Sequence, residues 1–493
     1  MSLARNLVRR AIAPIVRWAA TPAYDAASQS RRVRGWEPGN DSVMALVAGA
    51  GDDLRRKSRD VIRRNPWAGN AVDAFVANAI GTGITPASKH PDRETRKMLE
   101  SLFLRWTDEC DAAGLTDFYG LQSLACREMF EAGEAFVRFR PRRASDGLTV
   151  PLQLQLVESE QVPTSKNESL AGGFKIRAGV ETDPIGRRVA YHMYREHPGD
   201  ILNTGGFETT RVPADQVAHL FRPLRFGQYR GQPWMTSVMV LLNDLEKYDG
   251  AELIRKQIAA MMAFFIEDAD PANPLFANED EDDDGVPIAG IEPGSVITLP
   301  NGKTVKISEP TDVGGMYVEY MRLQLRKVAA GLGITYEQLT GDMTQVNFSS
   351  LRAGLLEFRR RMEAFQHQVV VFQLCRPVWR EFILAAATAG LIDIDALAAD
   401  PRPFFDVEWR PQAWPWVDPL KDIAAEITAR KELLKSDSEI IRSTGRDPET
   451  VFEEIAADQQ RQRDLGIEKE SHTASATAQD ANSNGSDQNA GNQ

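Results

Sequence analysis

The residues with the most evident capacity for chemistry are consecutive acids. They occupy six positions in a row, Glu279, Asp280, Glu281, Asp282, Asp283 and Asp284. Paired carboxylates hold the two metal ions of many phosphodiester-cleaving enzymes, so a metal-dependent nuclease is one hypothesis for this chain. Such ligands usually come from separate rigid elements, however, whereas a run of like charges repels itself and remains solvated. We therefore predict an exposed acidic segment that holds no metal and no other cofactor.

Other catalytic motifs fail on spacing. The six histidines are scattered along the chain, and none stands at the spacing of a zinc site. Gly302-Lys303-Thr304 resembles the end of a phosphate-binding loop, but Ile297 occupies the position of the first glycine. No Gly-x-Ser-x-Gly nucleophile motif occurs. The sequence thus predicts a protein that is not an enzyme and does not hydrolyse ATP by itself.

Length and composition indicate a multidomain globular protein. The chain has 493 residues, enough for about two to four domains, and its 42% hydrophobic and 26% charged residues are ordinary for a soluble protein. No stretch approaches the roughly 20 apolar residues of a membrane-spanning helix, so no membrane partner is expected. The three cysteines cannot form a disulfide framework, which is typical of a reducing compartment.

The net charge of −12 is unevenly distributed. Residues 1–64 contain 13 Lys/Arg and 6 Asp/Glu, which leaves 45 and 64 for the remainder. This balance excludes a uniformly basic nucleic-acid-binding protein. We interpret residues 1–60 as a basic arm that docks on an acidic partner or nucleic acid; a mobile solvated terminus is the alternative.

A mixed α+β block follows the arm. Asn65-Pro66 is an N-cap and first-turn pair, so ordered structure is predicted to begin there. An apolar stripe predicts a second helix at 93–110. Between 134 and 221 short runs bounded by Gly, Pro and Asp predict strands. The predicted strands are 135–139, 152–157, 189–194 and 217–221.

Long helices dominate the second half of the chain. Helical patterns at 233–262 and 313–331 flank an insert with a predicted hairpin, in which 295–299 pairs with 303–307. The insert, residues 263–312, contains 12 acids and 2 bases. It therefore places a concentrated negative charge between two helices.

Three features complete the C-terminal part. The longest helical pattern, 350–389, contains Pro377, which is expected to kink or split it. Asp418-Pro419 and Asp447-Pro448 begin two further helices. The composition of residues 466–493 predicts a disordered tail.

The first long helix has apolar residues on more than one face. A helix that is apolar over a wide arc is buried by neighbours, and identical copies of the chain would supply them. A helical bundle within one chain is the alternative. The residues predicted to pack between subunits are Trp234, Val238, Leu241 and Leu245.

Taken together, these segments resemble the lambda-like family of portal proteins of tailed bacteriophages. The most specific similarity lies at 333–342 and 347–352, which frame a polar loop. Other similar segments lie at 64–71, 81–84, 409–411, 416–419 and 445–448. Their order and spacing are those of the family over nearly the whole chain.

The resemblance implies an α+β, mainly helical portal fold. It also implies a ring, typically of twelve subunits, at one capsid vertex, through which double-stranded DNA enters and leaves. The implied divisions are a wing at 61–232, stem helices at 233–262 and 313–334, a clip at 263–312, a channel loop with a long wing helix at 335–415, and a crown at 416–465.

The resemblance also suggests where DNA and protein partners act. The family's channel-facing loop corresponds to about 341–350, where the candidate residues are Gly341, Asp342, Met343, Thr344, Gln345 and Asn347. A ring of arginines would trap a duplex that carries one negative charge per about 1.7 Å, whereas a polar loop lets it slide. The acids at 279–284 would dock the terminase packaging motor and later the head–tail connector proteins.

Further expectations concern assembly. The implied location is the virion, with assembly in the host cytoplasm, and a major capsid or scaffold protein is a further expected partner. Two other hypotheses stay open from the residues alone. One is a minor capsid or scaffold-like component that binds shell proteins through its basic arm, and the other is the nuclease considered above.

Overall fold

The computed structural model describes most of the chain. The described residues are 35, 37–201, 208–260, 264–267, 304–307, 314–344, 346–415 and 418–467. They form the α+β, mainly helical architecture that the sequence predicts. Among these residues, none of the helices combines the length and the apolarity that crossing a bilayer requires.

Four helices precede β2 (Glu134–Pro141), and the second of these helices begins where the sequence predicts. They are α1 (Val43–Arg64), α2 (Pro66–Ala79), α3 (Arg93–Thr107) and α4 (Phe118–Ala132). The side chain of Asn65 accepts hydrogen bonds from the amides of Trp67 and Ala68, as expected of an N-cap. The prediction that ordered structure begins at Asn65 is wrong, because α1 precedes it and buries Val61 and Ile62 in the main core.

All four predicted strands are confirmed, and they belong to two antiparallel sheets. The first sheet has the order β3-β2-β9 and the second is a five-stranded meander, β4 to β8. The strands are β2 (Glu134–Pro141), β3 (Leu152–Val157), β4 (Glu168–Ser169), β5 (Lys175–Arg177), β6 (Val180–Thr182), β7 (Arg188–Tyr194), β8 (Thr209–Pro213) and β9 (Val217–Phe221). A further strand, β1 (Thr85–Ser88), precedes them and pairs far away in the sequence.

The second half starts with an antiparallel pair of long helices. A 3₁₀ turn at Trp234–Ser237 leads into α5 (Met239–Ala260), and α6 (Gly314–Leu332) returns beside it. Between them β10 (Phe264–Glu267) pairs with β11 (Thr304–Ile307). The predicted hairpin partner of β11, residues 295–299, lies outside the described residues, as do the acids 279–284.

The predicted long helix is continuous but changes its winding. After the short α7 (Tyr336–Thr340), α8 (Phe348–Phe365) runs into a π-helical stretch, Gln366–Cys375, and then α9 (Arg376–Thr388). Proline lacks an amide hydrogen and its ring crowds the carbonyl four residues earlier. In the wider turn before Pro377, the Arg376 amide bonds to the carbonyl of Val371, five residues back. The π turn accommodates the proline, so of the two expected outcomes, a kink or a split, the split does not occur.

The chain closes with short elements and three helices. α10 (Ile394–Ala399), α11 (Arg402–Phe405) and β12 (Val407–Arg410) lead to α12 (Pro419–Lys431), α13 (Asp437–Ser443) and α14 (Pro448–Asp464). Both predicted Asp-Pro starts are confirmed, since Asp418 and Asp447 accept hydrogen bonds from the amides of Lys421 and Thr450. The predicted tail lies almost wholly outside the described residues.

Motifs that are distant in sequence meet in the fold. The Asn70 amide of α2 donates to the carbonyls of both Gln338 and Leu339 of α7, each at 2.8 Å. β1, which follows the 81–84 segment, pairs with β12, which carries residues 407–410. At the C-terminal side Arg410 pairs with Asp447 at 3.0 Å, and Arg352 pairs with Asp422 at 2.8 Å. The segments that carry the sequence resemblance therefore hold the separate parts of the chain together.

The α2–α7 contact can be tested at Asn70. Asn70→Ala removes two hydrogen bonds, and we expect it to lower the free energy of unfolding by about 1 kcal/mol. Asn70→Asp places a carboxylate against two carbonyl oxygens, and we expect it to lower the free energy of unfolding by about 2 kcal/mol or more. Chemical denaturation measures both effects.

Asn78→Ala is the matched control, because the Asn78 amide donates only within its own helix, to Ala74. It should change stability much less. If Asn70→Asp and Asn78→Ala had equal effects, the inter-helix contact would not be the stabilising feature.

Candidate functional site

Two capped helices position the 341–347 loop. α7 begins with a reciprocal cap between Thr335 and Gln338 and ends at Gly341, whose φ of +70° is the left-handed conformation that favours glycine. After the loop, the Asn347 side chain accepts a hydrogen bond from the Ser349 amide and starts α8. The loop is thus fixed at both ends by residues whose types suit those positions.

Asp342 organises the interior of this loop. Its carboxylate accepts hydrogen bonds from the Thr344 amide at 3.0 Å, from Thr344 Oγ1 at 2.6 Å and from the Tyr336 hydroxyl at 3.1 Å. The hydrogen bonds from Thr344 are the main reason that the pKa of Asp342 lies below its ordinary value. The negative charge of Asp342 is therefore stabilised by hydrogen bonds within the loop.

The other candidate loop residues differ in what they offer. Met343 is 60% exposed and Thr344 is exposed, while Asn347 serves as the cap of α8. Gln345 lies outside the described residues. The structure thus brings five of the six predicted residues into one loop and gives three of them, Gly341, Asp342 and Asn347, a local structural task.

Two arginines of α6 lie beside the loop. One guanidinium nitrogen of Arg322 is 3.9 Å from the Asp342 carboxylate, and the other is 3.0 Å from that of Glu319. The Arg326 guanidinium lies 5.6 Å from the centre of the Tyr336 ring. Sequence reasoning described the loop as free of cations and missed this neighbourhood, because α6 precedes the loop and its side chains reach it only through the fold. Arg322 is compensated by the two carboxylates.

The predicted subunit-packing residues belong to the core of their own chain. Val238 is 3% exposed and Leu245 is 2% exposed, and Leu241 is partly buried against the same core. The Trp234 indole packs on Phe75 and Phe130, with ring centres 4.6 and 5.8 Å apart. The core of the chain already covers Val238 and Leu245, so these two residues pack within one subunit. Trp234 and Leu241 are only partly buried, and their contact with a neighbouring subunit stays a prediction.

A different set of apolar residues is exposed on the α5/α6 pair. The set comprises Val240, Leu253 and Ile254 of α5 and Met316, Val318, Tyr320 and Leu323 of α6. Tyr248 stacks on Tyr317 at 5.8 Å and joins the two helices. Next to this contact lies a groove of about 540 Å³. Its lining combines Tyr248, Met316, Tyr320 and Leu323 with the charged residues Glu319, Arg322 and Arg326.

A buried charge network that sequence reasoning missed lies where the first sheet meets the following loop. Glu134 accepts hydrogen bonds from Arg230 Nε at 2.7 Å, from Ser159 Oγ at 2.6 Å and from the Gly231 amide at 2.8 Å. Its other partner is His219 Nε2 at 3.1 Å. Burial alone would raise the pKa of Glu134, but the Arg230 charge and the His219 hydrogen bond hold it well below its ordinary value.

His219 is neutral in this network. Its Nδ1 faces the Tyr191 hydroxyl at 3.2 Å and an Arg188 nitrogen at 3.3 Å. Because arginine only donates, Nδ1 must accept and Nε2 must carry the hydrogen that bonds to Glu134. Burial lowers the pKa of His219 to about 4, against the attraction of Glu134. The signal in the sequence was a polar residue within otherwise apolar strands.

One cluster among the described residues has the donor types of a metal site. Ligand atoms of Glu158, Glu160 and His197 lie within 4.8 Å of one another. Arg59 already donates to Glu160 at 3.0 and 3.1 Å and to Glu128 at 2.7 Å. The positive charge that these acids require is therefore supplied by an arginine side chain.

Comparison with known proteins assigns the class. The model of the lambda family of phage portal proteins matches residues 29–366. The "Probable portal protein" of Halomonas phage phiHAP-1 is 31% identical over 465 residues, 91% of this chain and 88% of the relative. "Portal protein B" of Escherichia phage lambda is 21% identical over 490 residues, 90% of each chain.

Solved structures with a similar chain come from gene transfer agent particles. The neck of the empty particle computed with C6 symmetry has a TM-score of 0.46 at 16% identity, covering 82% of this chain and 98% of that one. The neck of the native particle computed with C12 symmetry has a TM-score of 0.45 at 14% identity, with the same coverage.

The protein is thus, in class, a phage portal protein, and its function is that of a portal at the capsid. The chain belongs to the lambda family of phage portal proteins. Membership in this family gives it a structural role.

The neutral state of His219 predicts a pH effect on stability. Its folded pKa lies below the ordinary value of 6.5, so the unfolded chain binds more protons between pH 6.5 and 4. The contribution of His219 is therefore complete above pH 6.5 and is lost as the pH falls towards 4. We expect the stability gap between the wild type and His219→Gln to narrow by about 3 kcal/mol between pH 7 and pH 4.

Denaturation curves of both proteins at the two pH values measure this gap. Burial also raises the pKa of Glu128 to about 7. This shift makes the folded chain more stable as the pH falls through the same range, which is opposite to the effect of His219. Glu128 is common to both proteins, so its effect cancels in the comparison. A gap that stayed constant with pH would contradict the neutral assignment.

Proposed function

We propose that the chain assembles as a ring of identical subunits, twelve by the family resemblance, and that double-stranded DNA passes through the bore during packaging and ejection. The observation that supports this proposal best is the exposed apolar surface of the α5/α6 pair. Soluble monomers rarely expose contiguous apolar patches of large area, and such patches mark interaction sites. A second copy of the same chain is the partner that the portal class calls for.

The exposed residues belong to two different helices, α5 and α6. A closed ring forms when each copy presents two unlike, complementary patches and the rotation between copies closes. On α5, Val240 is 74% exposed and Ile254 is exposed as well. On α6, Met316 is 71% exposed and borders the groove beside Tyr248. We assign the α5 surface of one copy to the groove of the next.

The loop at 341–347 is proposed to face the DNA. Its exposed residues Met343 and Thr344 are uncharged, and Asp342 is bound within the loop. A cationic loop would neutralise phosphates and release counterions, which adds affinity and slows sliding. An uncharged loop touches the duplex without holding it.

Partner docking is proposed from charge. The insert at 263–312, with 12 acids and 2 bases, offers a negative surface to the terminase packaging motor and then to the head–tail connector proteins. The basic arm at the N-terminus suits a major capsid or scaffold protein. The finished assembly belongs to the virion, and it forms in the host cytoplasm.

The ring interface can be tested at Leu323. Leu323→Asp puts a charge into the groove that we assign to the neighbouring copy, where it would lose its water. We expect folded chains that fail to form rings. Light scattering gives the oligomeric mass and circular dichroism gives the folded state.

Two variants serve as controls for this test. Leu115→Asp changes an exposed leucine outside the α5/α6 pair, 82% exposed against 53% for Leu323, and should leave rings intact. Val238→Asp changes a core residue and should unfold the chain itself. Normal rings from Leu323→Asp would refute the assignment of the groove.

The channel loop can be tested at Met343. Met343→Arg adds one exposed positive charge per subunit beside passing phosphates, so we expect slower packaging and stronger DNA retention in assembled rings. Salt should relieve the effect, because phosphate contacts weaken as salt rises. Packaging assays with purified procapsids at two salt concentrations measure it.

Met343→Gln is the control, since it keeps the length of the side chain without the charge. It should package like the wild type. Equal packaging by Met343→Arg and Met343→Gln would place the loop away from the DNA.

A further inference from the structure

A small polar cavity lies where the α5/α6 pair joins the rest of the chain. Its volume is about 170 Å³, several times the roughly 30 Å³ that a water molecule occupies in the liquid. The residues that matter for its chemistry are Arg222, which follows β9, then Gln232, Trp234 and Ser237. Among the described residues that line it, Arg222 is the one that carries a charge.

Arg222 is held in place by an aromatic ring instead of a carboxylate. Its guanidinium carbon lies 3.9 Å from the centre of the Trp234 ring. The Trp234 Nε1 donates to the Leu332 carbonyl at 2.8 Å, which fixes the plane of the indole. Among the described residues, no carboxylate lies within ion-pair distance of Arg222. One face of the guanidinium is therefore covered, and its edge, which carries the N–H donors, remains available.

The neighbouring polar groups are also donors. Ser237 is an exposed residue at the end of the 3₁₀ turn, and its hydroxyl can donate, as can the Gln232 amide. Neither side chain makes a hydrogen bond to another described residue. A half-buried arginine with two further donors and no carboxylate in the lining attracts an anion. The flat guanidinium fork matches oxygen pairs on one tetrahedral centre.

We propose that this cavity binds an oxyanion of the phosphate type, with Arg222 as its bidentate donor and Ser237 and Gln232 as secondary donors. Two sources share this chemistry: a phosphodiester of the DNA backbone and free inorganic phosphate. The site does not depend on the ring proposed above, because all its residues come from one chain.

Inorganic phosphate is the first probe. In wild-type protein at constant ionic strength, replacing chloride by phosphate should raise the unfolding temperature in a saturable way, since a ligand that binds only the folded state stabilises it. Arg222→Gln should weaken phosphate binding by about tenfold or more. Arg222→Lys keeps the charge but loses the guanidinium fork. Its affinity for phosphate should lie between those of the wild type and Arg222→Gln.

Two further variants keep the test decisive if Arg222→Gln folds poorly. Ser237→Ala removes one donor at an exposed position and should weaken phosphate binding severalfold. Arg225→Gln is the matched control, because Arg225 is an exposed arginine nearby in the chain that does not line the cavity. It should bind phosphate like the wild type. An equal phosphate effect in the wild type, Arg222→Gln and Ser237→Ala would overturn the proposal.

A short DNA duplex distinguishes the two sources. If the backbone is the ligand, Arg222→Gln should weaken duplex binding and reduce its salt dependence, and free phosphate should compete with the duplex. If free phosphate is the ligand, duplex binding should be the same in the wild type and in Arg222→Gln, while phosphate binding is lost. Light scattering on each variant reports ring assembly separately, so a failure of the ring proposal is not mistaken for a failure of this one.

Discussion

The contact on which the rest of the molecule depends is the packing of the partly buried Trp234, just before α5. Its ring packs on Phe75 of α2, Phe130 of α4 and Phe365 at the end of α8, and its nitrogen bonds to the last carbonyl of α6. A large aromatic side chain contributes both apolar burial and a directional hydrogen bond. The two long helices are thus fixed to the body of the chain at one end. This arrangement leaves their remaining length free to meet a neighbour.

The same contact explains which apolar residues remain for assembly. Val238, which directly precedes α5, and Leu245 of α5 both pack in the core, so they stabilise one subunit. Val240 and Ile254 lie elsewhere on the helix and stay exposed. A helix that is apolar over a wide arc can therefore serve both requirements: one part of the arc packs within the chain and another part remains available to a partner.

Several charges of the described structure are compensated locally. Glu134 and Arg230 are almost fully buried and pair with each other, while Asp342 is satisfied inside its loop. Arg59 is surrounded by glutamates. A buried charge without a partner is costly, so these pairs are expected wherever ionisable groups leave water. Arg222 differs from these groups in that it faces a cavity whose described lining holds no carboxylate.

The sequence by itself determined the local elements and the family. Asn65-Pro66, Asp418-Pro419 and Asp447-Pro448 marked helix starts, because capping depends on residues only two or three positions away. Strands such as the one at 217–221 were also predicted from the local sequence. The tertiary structure alone decided which face of α5 is buried, that Arg322 lies beside the 341–347 loop, and that His219 meets Glu134. These contacts join residues from 20 positions apart, as for Arg322 and Asp342, to 85 positions apart, as for His219 and Glu134. Neither the periodicity of one segment nor the type of one residue specifies its partner at such separations, because the packing of other elements sets which side chains come together.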